Sequence, residues 1–261
     1  MRWKRFNRVR LLMSVNLPTK LLKGPLVDVT FEIRFDTSLP LSSILPGHLF
    51  SALSGTSIER LPHAEIPQQI RNNEPALQFM PLVRINTENY VIGVSDKSLQ
   101  VSCVLPYLGW GEFKSKILEI LGVVKQLSVV GNVTRYSLKY TDILSSEFMT
   151  NSSDYLSATF SIGNHKLDIS TCVLQAQIIE GDAINLLHIR GNVEIKVIET
   201  NESKTGILVD IDSIRQLSNT SLPDFLEKDS QELDSLHFIN KKMFFDCLSA
   251  KGLKTLEPVY D

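Results

Sequence analysis

The order of hydrophobic and polar positions divides this chain into short segments. Val27, Val29, Phe31, Ile33 and Phe35 alternate with Asp28, Thr30, Glu32, Arg34 and Asp36, a period of two that predicts a half-buried strand. Leu45, Leu49, Phe50 and Leu53 are spaced for a short amphipathic helix that Gly55 ends. A polar connection of about twenty residues follows, through Pro62, Pro67 and Pro75. The runs Leu77–Ile85, Tyr90–Val94 and Leu99–Leu105 then read as a three-strand meander. Trp110, Phe113, Ile117, Ile120 and Leu121 form one helical stripe that Gly122 interrupts or closes. Beyond it lies a long strand through Ile143, in which Tyr136, Leu138 and Tyr140 alternate with Arg135, Ser137 and Lys139.

Residues 145–155 are polar and mark a soft boundary. Strands are expected again at 157–162, 167–179, 184–197 and 206–211, with turns at Gly163-Asn164, Gly181-Asp182 and Asn201–Lys204. A closing helix starts from Ser221 as N-cap, with Pro223, Asp224 and Glu227 suited to its first turns. Its stripe is Leu226, Leu233, Leu236, Asn240, Met243, Phe244 and Cys247. The expected class is α+β: a predominantly antiparallel sheet in two lobes, β-α-β-β-β-α-β and then β-β-β-β-α, with helices packed on one face. The divisions are a basic extension at 1–22, an N-terminal lobe at 23–145, and a C-terminal meander with a long helix at 146–261.

Composition narrows the class. The chain has 261 residues, 43% hydrophobic and 21% charged, enough for a large core and unlike a disordered protein. No apolar run is long enough to insert in a membrane. The net charge of −2 hides an asymmetry, because Arg2, Lys4, Arg5, Arg8 and Arg10 open the chain with no acid among them. The remainder is near −7. A broad nucleic-acid surface is therefore not expected, and that chemistry is confined to the basic arm with its Trp3 and Phe6. The arm lacks the apolar core of a secretory signal. Cys103, Cys172 and Cys247 are odd in number and far apart, which argues against a disulfide framework or a zinc site and fits a cytoplasmic location.

Candidate chemistry is sparse. Asp210 and Asp212 fall on one face of a predicted strand, where two carboxylates can share a divalent cation or perturb each other's ionisation. Glu32 and His237 can complete such a site if the last helix packs beside both strands. The plain alternative is pairing with Arg34, Arg135 or Arg190. His237 and Asn240 sit by the apolar stripe of the last helix, where polar groups commonly satisfy each other or a carbonyl. Tyr107, Trp110 and Phe113 lie with two glycines at a strand-to-helix junction and suit either a recognition platform or a plug between sheet and helix. The common hydrolase, zincin and nucleotide-binding motifs are absent, so no catalytic residue, metal or cofactor is assigned.

Six segments occur in order: Lys23-Gly-Pro-Leu-Val-Asp-Val-Thr-Phe-Glu-Ile-Arg-Phe35, the Pro-Tyr-x-Gly-Trp-x-x-Phe run ending at Phe113, Arg135-Tyr-Ser-Leu-Lys-Tyr140, Val209-Asp-Ile-Asp212, Leu236-His237 followed by Phe244-Phe245, and Leu256-Glu-Pro-Val-Tyr260. Together they resemble a sporadically distributed, uncharacterised prokaryotic protein family of about this length. The resemblance implies a cytoplasmic microbial protein of the kind found among accessory or defence-linked genes, and it carries over no site residues. Two expectations result. One is a non-enzymatic interaction protein, as in a defence or toxin–antitoxin pair, acting on a protein partner or as a homo-oligomer. The other is a ligand- or metal-binding enzyme or sensor whose pocket gathers Glu32, Arg34, Arg135, Asp210, Asp212 and His237.

Overall fold

The computed structural model describes residues 16–145, 147, 154–159, 161–197 and 202–260. The basic arm, with Trp3 and Phe6, lies outside the described residues, as does most of the polar stretch between the expected lobes. Strands β1 (Lys20–Leu21) and β2 (Leu26–Phe35) lead into helix α1 (Leu41–Ala52), a short β3 (Ser57–Arg60) and helix α2 (Gln68–Asn73). The meander β4 (Val83–Asn86), β5 (Tyr90–Val94) and β6 (Ser98–Cys103) precedes α3 (Trp110–Leu127) and the long β7 (Asn132–Ser145). Then come β8 (Ser161–Ile162), β9 (His165–Lys166), β10 (Val173–Glu180), β11 (Ala183–Val197) and β12 (Glu202–Ser221). Helices α4 (Leu222–Cys247) and α5 (Ala250–Thr255) and a short β13 (Pro258–Val259) close the chain.

Nine strands form one antiparallel sheet in the order β10-β11-β12-β7-β2-β6-β5-β4-β3, with α1, α3 and α4 on one face, as the α+β reading expects. Period-two alternation turns Val29, Phe31, Ile33 and Phe35 of β2 inward, where they pack with Leu45 and Leu49 of α1 and Phe113 and Ile117 of α3. The expected lobes meet strand to strand, since β7 and β12 pair from Ser145–Gly206 to Asn132–Ser221. One cluster continues from β2 to Leu233 and Leu236 of α4, and a second gathers Leu144, Ile189, Val209, Met243 and Phe244 toward the other end of that helix.

Three elements differ from expectation for physical reasons. Helix α3 passes Gly122 because its buried stripe continues through Val124, and a lone glycine costs only about 1 kcal/mol. The polar connection after Gly55 contains β3, a 3-10 turn and α2, and it delivers Phe79 against the sheet face opposite the helices. Strand β12 runs ten residues past Ile211 because the polar residues that blur its pattern, Ser213 and Arg215, are buried and bonded. Arg215 donates to Glu232 Oε2 at 2.6 Å, Ser235 Oγ at 3.0 Å and the Tyr136 hydroxyl at 3.2 Å, fastening α4 to the sheet. The start of α4 follows the sequence, with Ser221 Oγ accepting from the Asp224 amide at 3.2 Å.

Candidate functional site

The sheet carries two groups of polar side chains, one on each face. Opposite the helices, β2, β7 and β12 lie side by side, so Glu32, Arg34, Arg135, Asp210 and Asp212 come together as neighbours. Arg34 Nε meets Glu32 Oε1 at 2.6 Å while its guanidinium lies 3.8 Å from the centre of the Phe79 ring. Gln100 donates to the other Glu32 oxygen at 3.0 Å. Arg135 donates to Asp212 at 3.1 Å, and Lys139 lies 2.8 Å from Asp210, which also accepts from Thr141 at 3.1 Å. Burial and neighbouring Arg34 pull Arg135 down, while burial pushes Asp212 up against the opposing pull of Arg135. Desolvation thus dominates both members of that pair, and Arg135 Nε and Asp212 Oδ1 are buried without a hydrogen bond among the described residues. Glu32, Arg34, Arg135 and Asp212 are neutralised by one another, and Asp210 by Lys139.

His237 is on the other face. There a cleft of about 870 Å³ lies between α4, the loop Leu105–Gly109 and the stretch Pro18–Leu26. Gly109, at φ +102, turns the loop into α3 and brings Trp110 to the cleft wall. The Trp110 ring stacks parallel on His237 at 4.3 Å, and its indole N–H donates to Asp234 at 2.7 Å. Lys114 holds the same carboxylate at 2.8 Å, so α3 and α4 are clamped beside the cleft. The hydroxyls of Tyr107 and Tyr140 are 3.1 Å apart, with their rings edge to face. Asn240 Nδ2 donates to the carbonyls of Leu138 and Ile211 at 3.1 and 2.9 Å and to Ser213 Oγ at 2.9 Å, locking α4 to β7 and β12. Phe244 and Phe245 extend the aromatic wall.

The carboxylate sharing this cleft with His237 is Asp142. Two residues beyond Tyr140 on β7, it occupies an apolar-facing position, and its carboxyl has no hydrogen-bond or ion-pair partner among the described residues. Burial, reinforced by the charge of Asp210 on the neighbouring strand, pushes its pKa up to about 8. Burial takes His237 down to about 3, helped by Lys241 and Lys114 and opposed by Asp234. Burial also raises the Tyr107 and Tyr140 phenols. At neutral pH the cleft therefore presents a protonated carboxyl, a neutral imidazole and two neutral phenols among aromatic rings.

Of the residues singled out from sequence, Glu32, Arg34, Arg135, Asp210 and Asp212 share one face, while His237, Tyr107 and Trp110 share the cleft on the other. Phe113 is buried in the core behind them, stacked with Tyr90 and edge-on to Tyr107 and Trp110. Sequence patterning does not single out Asp142, although its signal is present: the alternation Tyr136, Leu138, Tyr140 continues onto an acid. Among the described residues no group of three or more His, Cys, Asp or Glu side chains is arranged to hold a metal ion, and no helix is long and apolar enough to cross a membrane. Burial pushes the Cys103 thiol up to about 12 and the Cys247 thiol to about 11, so neither is activated as a nucleophile. No family model matches the chain, and no curated protein matches it.

Proposed function

We propose that the protein is a small-molecule binding protein whose ligand enters the cleft beside α4. The observation that carries this reading is Asp142, a buried carboxyl with no hydrogen-bond or ion-pair partner among the described residues on an aromatic-walled cleft of about 870 Å³, where burial favours its protonated form. Ligand sites of this size are mostly apolar with a few placed polar groups, and a neutral buried acid is suited to donating one directed hydrogen bond. The ligand class is a flat, largely apolar molecule with an acceptor oxygen directed at Asp142. Lys20 and Lys204 on the wall favour a negative substituent. Recognition by Tyr107 and Trp110 then proceeds inside the cleft, where both rings lie.

8-Anilinonaphthalene-1-sulfonate has this chemistry, an aryl body with an anionic oxygen acceptor, and serves as the probe. In a Trp3→Phe background, where Trp110 is the remaining tryptophan, the probe is expected to saturate one site per chain and to change Trp110 emission. Asp142→Leu is expected to weaken binding about tenfold, the scale of one lost buried hydrogen bond. Absence of saturable binding, or equal affinity in Asp142→Leu and the parent, would contradict the proposal.

A further inference from the structure

The nine-stranded sheet has two edges of different character. At one end β3 is four residues long and carries Glu59 and Arg60, charges of the kind that discourage strand pairing. At the other end β10 is eight residues long, and from Val173 to Ile179 it has neither a charge nor a proline. Val173 and Ile179 are each 69% exposed, and the outer side of β10 pairs with no strand among the described residues.

The backbone of β10 fixes what this edge offers. The hairpin to β11 closes through the two-residue turn Gly181-Asp182, with Gly181 at φ +68, which makes Glu180 and Ala183 a hydrogen-bonded pair. Antiparallel pairing alternates, so Leu174, Ala176, Ile178 and Glu180 spend their N–H and C=O groups on β11. Val173, Gln175, Gln177 and Ile179 point theirs outward. A second copy related by a twofold axis perpendicular to the sheet can meet this edge only in a register that keeps each side chain on its own face. The register centred on Ala176 does so. It places Val173 opposite Ile179 and Gln175 opposite Gln177 as hydrogen-bonded pairs, with Leu174 opposite Ile178 on the helix-bearing side. The two most exposed apolar side chains of the strand cover one another, no like charges face each other between 173 and 179, and Glu180 faces Cys172 of the second copy.

We infer that the protein forms a twofold dimer through edge-to-edge pairing of β10, joining two nine-stranded sheets into one. The interface is isologous, so it closes on itself and leaves the β3 edges outside. It is independent of the cleft, because no residue of β10 lines it.

Sedimentation of the full chain tests this. The wild type is expected at twice its 29.4 kDa mass in the micromolar range. Gln177→Pro removes an N–H that the monomer does not use, so it is expected to stay folded by circular dichroism and raise the dimer dissociation constant about a hundredfold or more. Val173→Lys and Ile179→Glu are each expected to weaken the dimer, while the double variant, which sets Lys opposite Glu across the axis, is expected to recover it. The charge variants keep the test decisive if the proline variant fails to fold. A monomeric wild type, a dimer indifferent to these single substitutions, or failure of the double variant to recover would each overturn the inference. A monomer would leave the edge to a strand of a different protein.

Discussion

The two faces of the central sheet show opposite ways of placing polar groups, and the face with fewer charges makes the better site. Opposite the helices, Glu32, Arg34, Arg135, Lys139, Asp210 and Asp212 form a dense array in which each charge meets an opposite one. Such an array fixes strand register and has little left with which to hold a ligand. On the helix side, Asp142 has no partner among the described residues, His237 is stacked rather than paired, and both border open space. A site consists of polar groups the fold has buried and left unsatisfied toward a cavity, and charge density alone does not reveal it.

The comparison predicts different responses to substitution. The largest effect is expected from Asp142→Asn. The Asp142 carboxyl titrates near 3.8 when unfolded and near 8 in the fold, so its stability contribution is fully present below about pH 4 and is lost as pH rises to about 8. Asparagine does not ionise, so the variant is expected to be more stable than the parent by about 5 kcal/mol at pH 8 and nearly equal to it near pH 4, as read by denaturant melts. On the other face, Asp212→Ala leaves the Arg135 guanidinium with Glu32 at 4.0 Å and is expected to destabilise by about 2 kcal/mol, below the range for fully buried pairs because that second carboxylate remains and both side chains are about 20% exposed. That variant should bind the anilinonaphthalene probe like the parent, and a matching loss of binding would break the contrast between the faces. The smallest effect is expected from His237→Phe. The imidazole titrates near 6.5 unfolded and near 3 folded, so stability is complete above about 6.5 and declines as pH falls toward 3. Phenylalanine keeps the stack on Trp110 and removes that decline, a gain of about 1 kcal/mol at pH 6 by calorimetry.

Much of the fold is written in local periodicity. The alternation around Phe31, the stripe of α3 and the Ser221 cap each correspond to an element in place. What periodicity does not carry is the effect of one element on another. Ser213 and Arg215 look like the end of a strand until α4 supplies their partners. Residues 167–172 look β-prone, yet a 3-10 turn at 169–171 leads into β10. For the site, His237, Tyr107 and Trp110 are visible as polar or aromatic groups at odd places. The expected acids Asp210 and Asp212 stand on the wrong side of their strand to join them, because Val209 and Ile211 take the positions facing α4. Asp142 was hidden by its apolar neighbours Ile143 and Leu144, although parity places it on the same face as Tyr136, Leu138 and Tyr140.

The central claim is that the Asp142 carboxyl stays protonated in the cleft at neutral pH. Its side-chain carbon resonance can be followed from pH 3 to 10 in protein labelled with ¹³C at aspartate Cγ, identified by its loss in Asp142→Asn. The account predicts a protonated signal through pH 7 and a transition near pH 8. A transition near pH 4, with the carboxylate formed at neutrality, would contradict it.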